Sequence, residues 1–165
     1  MQRRNFSSNR STSHGPRPIR FGRAPGVSYG DLEEYFGYAL RRAQIAAFGA
    51  FFRATAGAGI TPPRFTALVI LDANPGISQS TLGAALGTAR SGAMMLTDWL
   101  VERGLAERRH RKEDGRAWGL YLTSRGASTL ARLRRRIRER ERSLVARLTA
   151  GERTTLRRLL AKLAA

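Results

Sequence analysis

The sequence has no cysteine among its 165 residues and only two histidines. The absence of cysteine excludes disulfide bonds, thiol-based sensing and metal sites that use sulfur ligands. His14 lies in a basic N-terminal segment and His110 in a basic strand, so neither belongs to a recognisable triad or metal cluster. We therefore expect a protein that is not an enzyme and that has no catalytic residue, metal site or cofactor.

Long apolar runs are also missing. No uninterrupted apolar stretch approaches the roughly 20 residues that a transmembrane helix needs. The basic start, Met1 to Arg23, lacks the apolar core of a secretory signal. We therefore expect a cytoplasmic protein that does not reside in a membrane.

Acidic residues are scarce, since 12 of them face 30 basic residues and leave a net charge of +18. Lysine occurs only at Lys112 and Lys162, so the positive charge is almost all arginine. The planar guanidinium forms paired hydrogen bonds with phosphates and with guanine edges. This balance predicts a polyanionic partner and favours nucleic acid over an anionic membrane surface, which composition alone leaves open.

Residues 1–30 carry six arginines, no acidic residue and no apolar period, which is typical of a disordered basic arm. Such an arm either adds non-specific DNA affinity or is a solvated tail without a role. From residue 31 apolar residues recur at helical spacing, and residues 31–165 are predicted to form one domain. Residues 31–60 and 123–165 are expected to be dimerisation helices, and residues 61–122 to be a winged helix-turn-helix.

The predicted helix starts rest on capping residues. Asp31 with Glu34 resembles a capping box, and Thr149 with Glu152 forms a second one. The other predicted starts and stops are Thr61-Pro62 to Asn74-Pro75-Gly76, Ser78 to Gly87, Thr88 to Gly104, and Thr123 to a long arginine-rich helix whose apolar face runs from Leu130 to Leu148. The apolar stripes of the first and last helices exceed what one small DNA-binding unit covers, which indicates a homodimer.

Between the fourth and fifth helices lies a basic strand, Glu107 to His110, then a charged loop, then an alternating strand that ends at Leu122-Thr123. The loop contains Asp114 and Arg116. A helix-turn-helix followed by such a hairpin is the form of a winged helix-turn-helix. The predicted fold class is therefore mainly α with a small β-hairpin wing.

Residues 61–160 resemble the multiple-antibiotic-resistance regulator (MarR) family of transcription factors. The matching segments are Thr61-Pro62-Pro63-Arg64-Phe65, Ile77-Ser78-Gln79 with Leu82 and Leu86-Gly87, Leu96 with Asp98, Leu100, Glu102 and Arg103-Gly104-Leu105, Asp114 with Arg116, Leu122-Thr123 with Gly126, and Leu148-Thr149 with Glu152. The resemblance implies a dimer whose first and last two helices interlock, and most members are repressors released by small anionic or phenolic ligands.

The resemblance and groove geometry together assign DNA contacts. The fourth helix is expected to enter the major groove, where Arg90 either forks onto a guanine or holds a phosphate. The wing arginine, Arg116, is expected to enter the minor groove with Asp114 holding its guanidinium. The full predicted set is Ser78, Gln79, Thr88, Arg90, Ser91, Met94, Met95, Arg108, Arg111, Asp114 and Arg116. Ser78, Gln79, Arg108 and Arg111 are expected to bind phosphates, which carry no direct sequence information.

The resemblance also implies an effector site between the dimer helices and the DNA-binding unit. The residues that it points to are Tyr35, Tyr38, Arg41, Arg42, Phe51, Arg64 and Phe65. Aromatic rings with arginines suit an aromatic carboxylate or an acyl-CoA thioester, whereas the plain alternative is that these residues are core and solvated surface.

These observations predict a homodimeric DNA-binding transcription regulator, a repressor released by a small anionic or aromatic effector, that binds an inverted-repeat operator in double-stranded DNA. The alternative is a sequence-indifferent architectural DNA-binding or RNA-binding protein, which the high charge and the weakly polar fourth helix favour.

Overall fold

The structure is a computed structural model that describes residues 24–111 and 117–164. The chain is mainly helical with one antiparallel hairpin, as predicted. A 3-10 helix, Gly30–Glu34, precedes the regular elements. These are α1 (Phe36–Ala54), α2 (Pro62–Ala73), α3 (Gln79–Ala85), α4 (Arg90–Glu102), β1 (Ala106–His110), β2 (Trp118–Leu122), α5 (Ser124–Leu144) and α6 (Ala150–Leu163).

Three of the predicted helix starts are confirmed in atomic detail. The Ser78 hydroxyl accepts a hydrogen bond from the backbone amide of Thr81 at 3.0 Å and so caps α3. Thr123 caps α5 in the same way. At α6 the Thr149 hydroxyl accepts from the Glu152 amide while the Glu152 carboxylate accepts from the Thr149 amide, which completes the predicted capping box.

Two predicted caps are wrong. Asp31 lies inside the 3-10 helix and accepts a hydrogen bond from the Tyr35 hydroxyl at 3.0 Å, and the extended backbone of Tyr35 delays α1 to Phe36. Thr88 does not cap α4: the N-cap residue is Ala89, and Thr88 belongs to the close of α3, where its amide donates to the Gly83 carbonyl.

The end predicted for the long fifth helix is also wrong. This helix ends at Leu144, with Val145 as its C-cap. Leu148, which was predicted to continue the apolar face, lies in the turn before α6.

The core joins all the helical elements of the DNA-binding unit to α5. Its largest fully buried side chains are Leu68, Leu71, Leu82, Thr97, Leu100, Leu130 and Leu133. These residues come from α2, α3, α4 and α5, and the buried cluster that they belong to runs from Ala54 to Ile137. Burial of this kind is the main source of folding free energy, at about 25 cal/mol per Å² of apolar surface.

The hairpin is fixed at its base to the turn between α2 and α3. Its register pairs Ala106 with Leu122 and His110 with Trp118. The Leu120 carbonyl accepts from the Gly76 amide and the Leu120 amide donates to the Ile77 carbonyl, both at 2.9 Å. Gly119 is required here, because a Cβ atom would lie 2.8 Å from the Gly76 carbonyl oxygen. The wing therefore has a defined position against the helix-turn-helix.

Large apolar side chains remain exposed on α1 and α6. On α1 they are separated by four or eight residues, with Phe36 89% exposed, Leu40 49%, Phe48 43% and Phe52 49%. The described part of α6 has no buried residue, and Leu156, Leu159, Leu160 and Leu163 are 41–73% exposed. No helix of the described residues is both long and apolar enough to cross a membrane.

Candidate nucleic-acid interface

The helix-turn-helix consists of α3 and α4, which cross at a close contact. A Cβ atom at Gly83 would lie 2.8 Å from the Cβ of Ala93, so only glycine allows this approach. α4 buries Ala93, Thr97 and Leu100 on its inner face, and the Thr97 hydroxyl donates to the Ala93 carbonyl at 2.7 Å. The opposite face of α4 is therefore left for a partner.

The predicted base-contacting residues lie on or beside that face, except Arg90, which lies at the first turn of α4. Arg90, Ser91, Met94 and Met95 are all exposed, with Met94 at 50% and Met95 at 71%. Covering an exposed apolar side chain is favourable because it removes apolar surface from water, and a thymine methyl in the major groove is one group that would cover these methionines. The exposed surface of α4 combines one guanidinium donor with two apolar contacts.

Thr88 lies directly over the first turn of α4. A Cβ atom at Gly92 would collide with the Thr88 hydroxyl oxygen, so the glycine provides the space that this hydroxyl occupies. Glycine at a helical position costs about 1 kcal/mol relative to alanine. The contact gives a structural reason for a residue that otherwise weakens the helix.

An ion pair joins the wing to α4. Arg108 of β1 donates through Nη2 to Oδ1 of Asp98 at 2.6 Å and to Oε1 of Gln79 at 3.2 Å. Arg108 and Gln79 were both predicted to bind phosphate, and the structure brings them together around a carboxylate. Sequence analysis gave Asp98 no role of its own. Its place on α4, two residues after the apolar Leu96, is the feature of the sequence that could have pointed to it.

The remaining predicted phosphate-binding residues differ in their surroundings. Ser78 is half-buried and its hydroxyl lies 2.9 Å from that of Ser80 and 2.7 Å from that of Thr81. The Arg111 amide donates to the Ala117 carbonyl at 2.8 Å, while its buried Nε has no partner among the described residues. Asp114 and Arg116 lie outside the described residues, so their roles stay predictions.

Ring contacts stiffen the half of the hairpin that lies next to its connecting loop. The Arg109 guanidinium lies 4.2 Å from the centroid of the Tyr121 ring, and its Nε is 3.2 Å from a Glu107 carboxylate oxygen. The His110 and Trp118 rings, which are cross-strand partners, have centroids 4.1 Å apart. Trp118 nevertheless remains 58% exposed.

The predicted effector residues fall into two groups along α1. Near its start, Arg42 pairs with Glu33 at 3.7 Å and lies 5.8 Å from the Tyr38 ring centroid, while Tyr35 bonds to Asp31. Arg41 is exposed in the same region.

The second group lies near the end of α1. There Phe51 meets Phe65 of α2 edge to face at 5.9 Å, and Arg64 lies on the ring of Trp99. Tyr38 and Phe51 are 13 residues apart on one helix, which at 1.5 Å per residue separates them by about 20 Å. One small ligand cannot touch both groups of a single protomer.

Two concave regions flank α5. A cavity of about 50 Å³ lies between α1 and α5, lined by Phe51, Ile137 and Leu144 among others. It is far below the roughly 300 Å³ that encloses a drug-sized ligand. An open groove of about 460 Å³ on the outer face of α5 is lined by Arg134, Arg135, Arg138 and Arg142 with Ala131 and Glu139. Within the described residues, no group of three or more His, Asp or Glu side chains could hold a metal ion.

Comparison with known proteins identifies the family. The sequence model of the MarR family matches residues 58–117. A transcriptional regulatory protein named for the hcr operon of Thauera aromatica is 37% identical over 136 residues, which cover 82% of each chain. The chain belongs to the MarR family. The repressor MprA of Escherichia coli K12 is 40% identical over a shorter stretch of 70 residues, 41% of this chain and 40% of MprA.

Solved structures of family members have the same fold. The repressor CouR bound to a 23-mer DNA duplex superposes with a TM-score of 0.77 at 37% identity, over 84% of this chain and 99% of CouR. CouR bound to p-coumaroyl-CoA gives 0.75 at 36% identity, over 84% and 97%. PcaV of Streptomyces coelicolor with its natural ligand gives 0.71 at 30% identity, over 84% and 97%. The predicted winged helix-turn-helix and the prediction of a transcription regulator rather than an enzyme are confirmed.

Proposed function

We propose that this MarR-family member is a homodimeric DNA-binding repressor that leaves its operator when a small anionic or aromatic effector binds. The observation that carries the proposal is the exposed surface of α4, where Arg90, Met94 and Met95 are accessible beside a hairpin that Arg108 joins to Asp98. This arrangement presents one helix and one wing on the same side of the protein.

DNA binding divides between base contacts and backbone contacts. Arg90 donates two hydrogen bonds to a guanine edge, and the methionines contact thymine methyls. Gln79, Arg111 and the free donors of Arg108 hold phosphates and set the register. Because α4 offers few polar groups for bases, much of the affinity comes from charge and from Arg116 in a narrow minor groove.

The exposed stripe of α1 supports a symmetric dimer. Phe36, Leu40, Phe48 and Phe52 are spaced symmetrically about Gln44, which is itself exposed. If two α1 helices pack antiparallel about a two-fold axis at Gln44, Leu40 meets Phe48 of the second copy and Phe36 meets Phe52. An isologous interface requires this kind of self-complementary pattern. The exposed leucines of α6 extend the same interface.

The dimer also supports an effector site between protomers. An antiparallel α1 pair places the group at Tyr38 of one copy beside the group at Phe51 of the other, because Tyr38 lies six residues before Gln44 and Phe51 seven residues after it. The two predicted groups, separated by about 20 Å in one protomer, then form one pocket. CouR with p-coumaroyl-CoA is a relative with a bound aromatic acyl thioester, and the proposed effector belongs to the same chemical class or is an aromatic carboxylate.

Binding to selected DNA tests the proposal. The full chain is used to select duplexes from a random pool, and its affinity for the selected duplex is compared with a scrambled duplex at fixed salt. We expect a ratio of about 10³ or more and a footprint with two half-sites about 10 base pairs apart. A ratio near one would contradict the repressor and support the sequence-indifferent alternative.

Truncation tests the dimer. Removal of residues 149–165 deletes the exposed leucines of α6 that would extend the interface, so aggregation or loss of dimer is expected in light scattering. A stable monomer that still binds the selected duplex with full affinity would contradict the dimer.

A further inference from the structure

Two arginines from different elements meet on one indole ring. Trp99 lies near the end of α4 and is half-buried. The guanidinium carbon of Arg64, in the first turn of α2, lies 3.7 Å from the ring centroid, and that of Arg103, the C-cap of α4, lies 4.9 Å from it. The contact therefore connects the start of α2 with the end of the helix that faces DNA.

The positive charge at this point is not balanced. Arg64 donates through Nη1 to the Gly59 carbonyl at 2.8 Å. Within residues 24–111 and 117–164, no carboxylate forms an ion pair with Arg64 or Arg103. Burial, and then repulsion by Arg103, lower the pKa of Arg64 below its ordinary value. Both causes disfavour the charged form, and an anion between the two guanidiniums would relieve them.

The surroundings suit an aromatic anion. Gly59 has a positive φ of +64°, and a Cβ atom there would lie 3.7 Å from Cζ2 of Trp99 and 3.9 Å from Nη1 of Arg103. The loop between α1 and α2 thus runs along the edge of the indole. Phe65 follows Arg64 in α2 and meets Phe51 of α1. Guanidiniums that can bind a carboxylate through paired hydrogen bonds therefore lie close to aromatic surface.

We infer that Arg64 and Arg103 together bind the carboxylate of an aromatic effector beside Trp99. The inference rests on the proposed function, because it assigns the anionic end of the effector and the route by which α4 senses it. When the carboxylate binds, Arg64 shifts from the indole face toward the anion, and the contact that holds the end of α4 to α2 changes. A ligand alters DNA affinity only by preferring one of the two arrangements, and α4 carries Arg90 and Met94 on the same rigid helix.

The intrinsic fluorescence of Trp99 tests the site directly. The chain has two tryptophans, so the variant Trp118→Phe leaves Trp99 as the single indole. Benzoate is titrated at constant ionic strength, with benzamide as the uncharged isostere and inorganic phosphate as the alternative anion. We expect a saturable change with benzoate alone, weakened about tenfold or more by Arg64→Gln and by Arg103→Gln. Arg132→Gln, an exposed arginine of α5, is the matched control and should bind as the parent does.

Conservative variants separate charge from geometry. Arg64→Lys keeps the charge and loses the paired hydrogen bonds, so an intermediate affinity is expected. Circular dichroism melting of each variant establishes that it is folded. Equal responses to benzoate and benzamide, preference for phosphate, no saturable response, or glutamine variants that bind as Arg132→Gln does would each overturn the inference.

DNA-binding measurements on the Trp118→Phe variant distinguish this inference from the proposed function. DNA selectivity of the Trp118→Phe variant is measured without benzoate. Selective DNA binding with no anion response refutes the anion site alone, whereas a saturable anion response without DNA selectivity refutes the repressor alone. Selective DNA binding that benzoate weakens in the parent and not in Arg64→Gln supports both.

Discussion

The ion pair between Asp98 and Arg108 is expected to matter more for DNA binding than for stability. Its side chains are 44% and 35% exposed, and ion pairs in such positions stabilise a protein by only about 0.2–1 kcal/mol. Asp98→Asn should therefore lower the melting temperature by at most about 2–4 °C for a chain of this size. The wing, however, loses the contact that positions it against α4.

The expected loss of DNA affinity follows from the entropy that is lost when side chains of the wing are ordered on binding. If the wing is no longer tied to α4, its contacting side chains must be ordered on binding, at about 0.5–1.5 kcal/mol for each immobilised side chain. One such side chain corresponds to a roughly 2- to 12-fold weaker Kd. Fluorescence anisotropy on a selected duplex measures this loss, and denaturant unfolding of the same sample measures the stability.

A second ion pair supplies the control. Asp72 of α2 and Arg134 of α5 are 2.7 Å apart, and their side chains are 39% and 35% exposed. Neither residue lies in α4 or in the hairpin. Asp72→Asn should therefore match the stability loss of Asp98→Asn without its loss of DNA affinity. If the two variants bind DNA equally well, the pair at Asp98 is structural only and the positioning argument is refuted.

Three further predictions concern single positions. Arg116→Ala should weaken binding by about 1–3 kcal/mol and reduce the salt slope by about one, most on A-tract flanks, whereas Arg10→Ala should weaken all duplexes slightly and equally; equal behaviour in anisotropy titrations would exclude a groove contact. Gly126→Ala should lower the free energy of unfolding by about 2–3 kcal/mol or more in urea, because its Cβ would overlap the carbonyl oxygen of Leu105. Gly151→Ala faces open space and should not destabilise the protein. Hydrogen bonds from the capping threonine lower the pKa of Glu152, so the stability difference between wild type and Glu152→Gln should be full near neutral pH and vanish as the pH falls through that lowered pKa; a difference that persists in acid would contradict this.

Local capping chemistry was predictable where the neighbouring residues leave the cap residue free. Ser78, Thr123 and Thr149 each stand directly before a helix and have a backbone amide three residues later that the hydroxyl reaches, so the sequence pattern was sufficient. The patterns at Asp31 and Thr88 are locally as good. They fail because Tyr35 adopts an extended backbone and because Thr88 belongs to the close of α3, so that α4 takes Ala89 as its N-cap.

The exposed residues of α4 were also predictable from a local sequence pattern. The ion pair that joins α4 to the hairpin was not. Helical periodicity puts Ser91 and Met95 opposite the buried side of α4 and Met94 beside it, and Arg90 is exposed because it lies at the first residue of the helix. The partner of Arg108 could not be chosen from sequence, because Asp98 and Gln79 lie 10 and 29 residues away in the chain and 30 basic residues compete for 12 acids. Such pairs depend on how the hairpin packs on the helix.

The symmetry of α1 can be tested by a disulfide, because the chain has no cysteine of its own. Gln44 lies at the centre of the exposed stripe, so in an antiparallel pair the two copies of residue 44 lie next to the two-fold axis. Gln44→Cys should form an intermolecular disulfide under mild oxidation, since bridged Cα atoms are less than about 7 Å apart. Ala46→Cys is also exposed on α1 but faces away by about 200° of helix rotation, and should not cross-link. Non-reducing electrophoresis distinguishes the two variants. If both cross-link equally, or if neither does in a protein that light scattering shows to be dimeric, α1 does not pair about residue 44, and the two groups at Tyr38 and Phe51 cannot share one effector pocket.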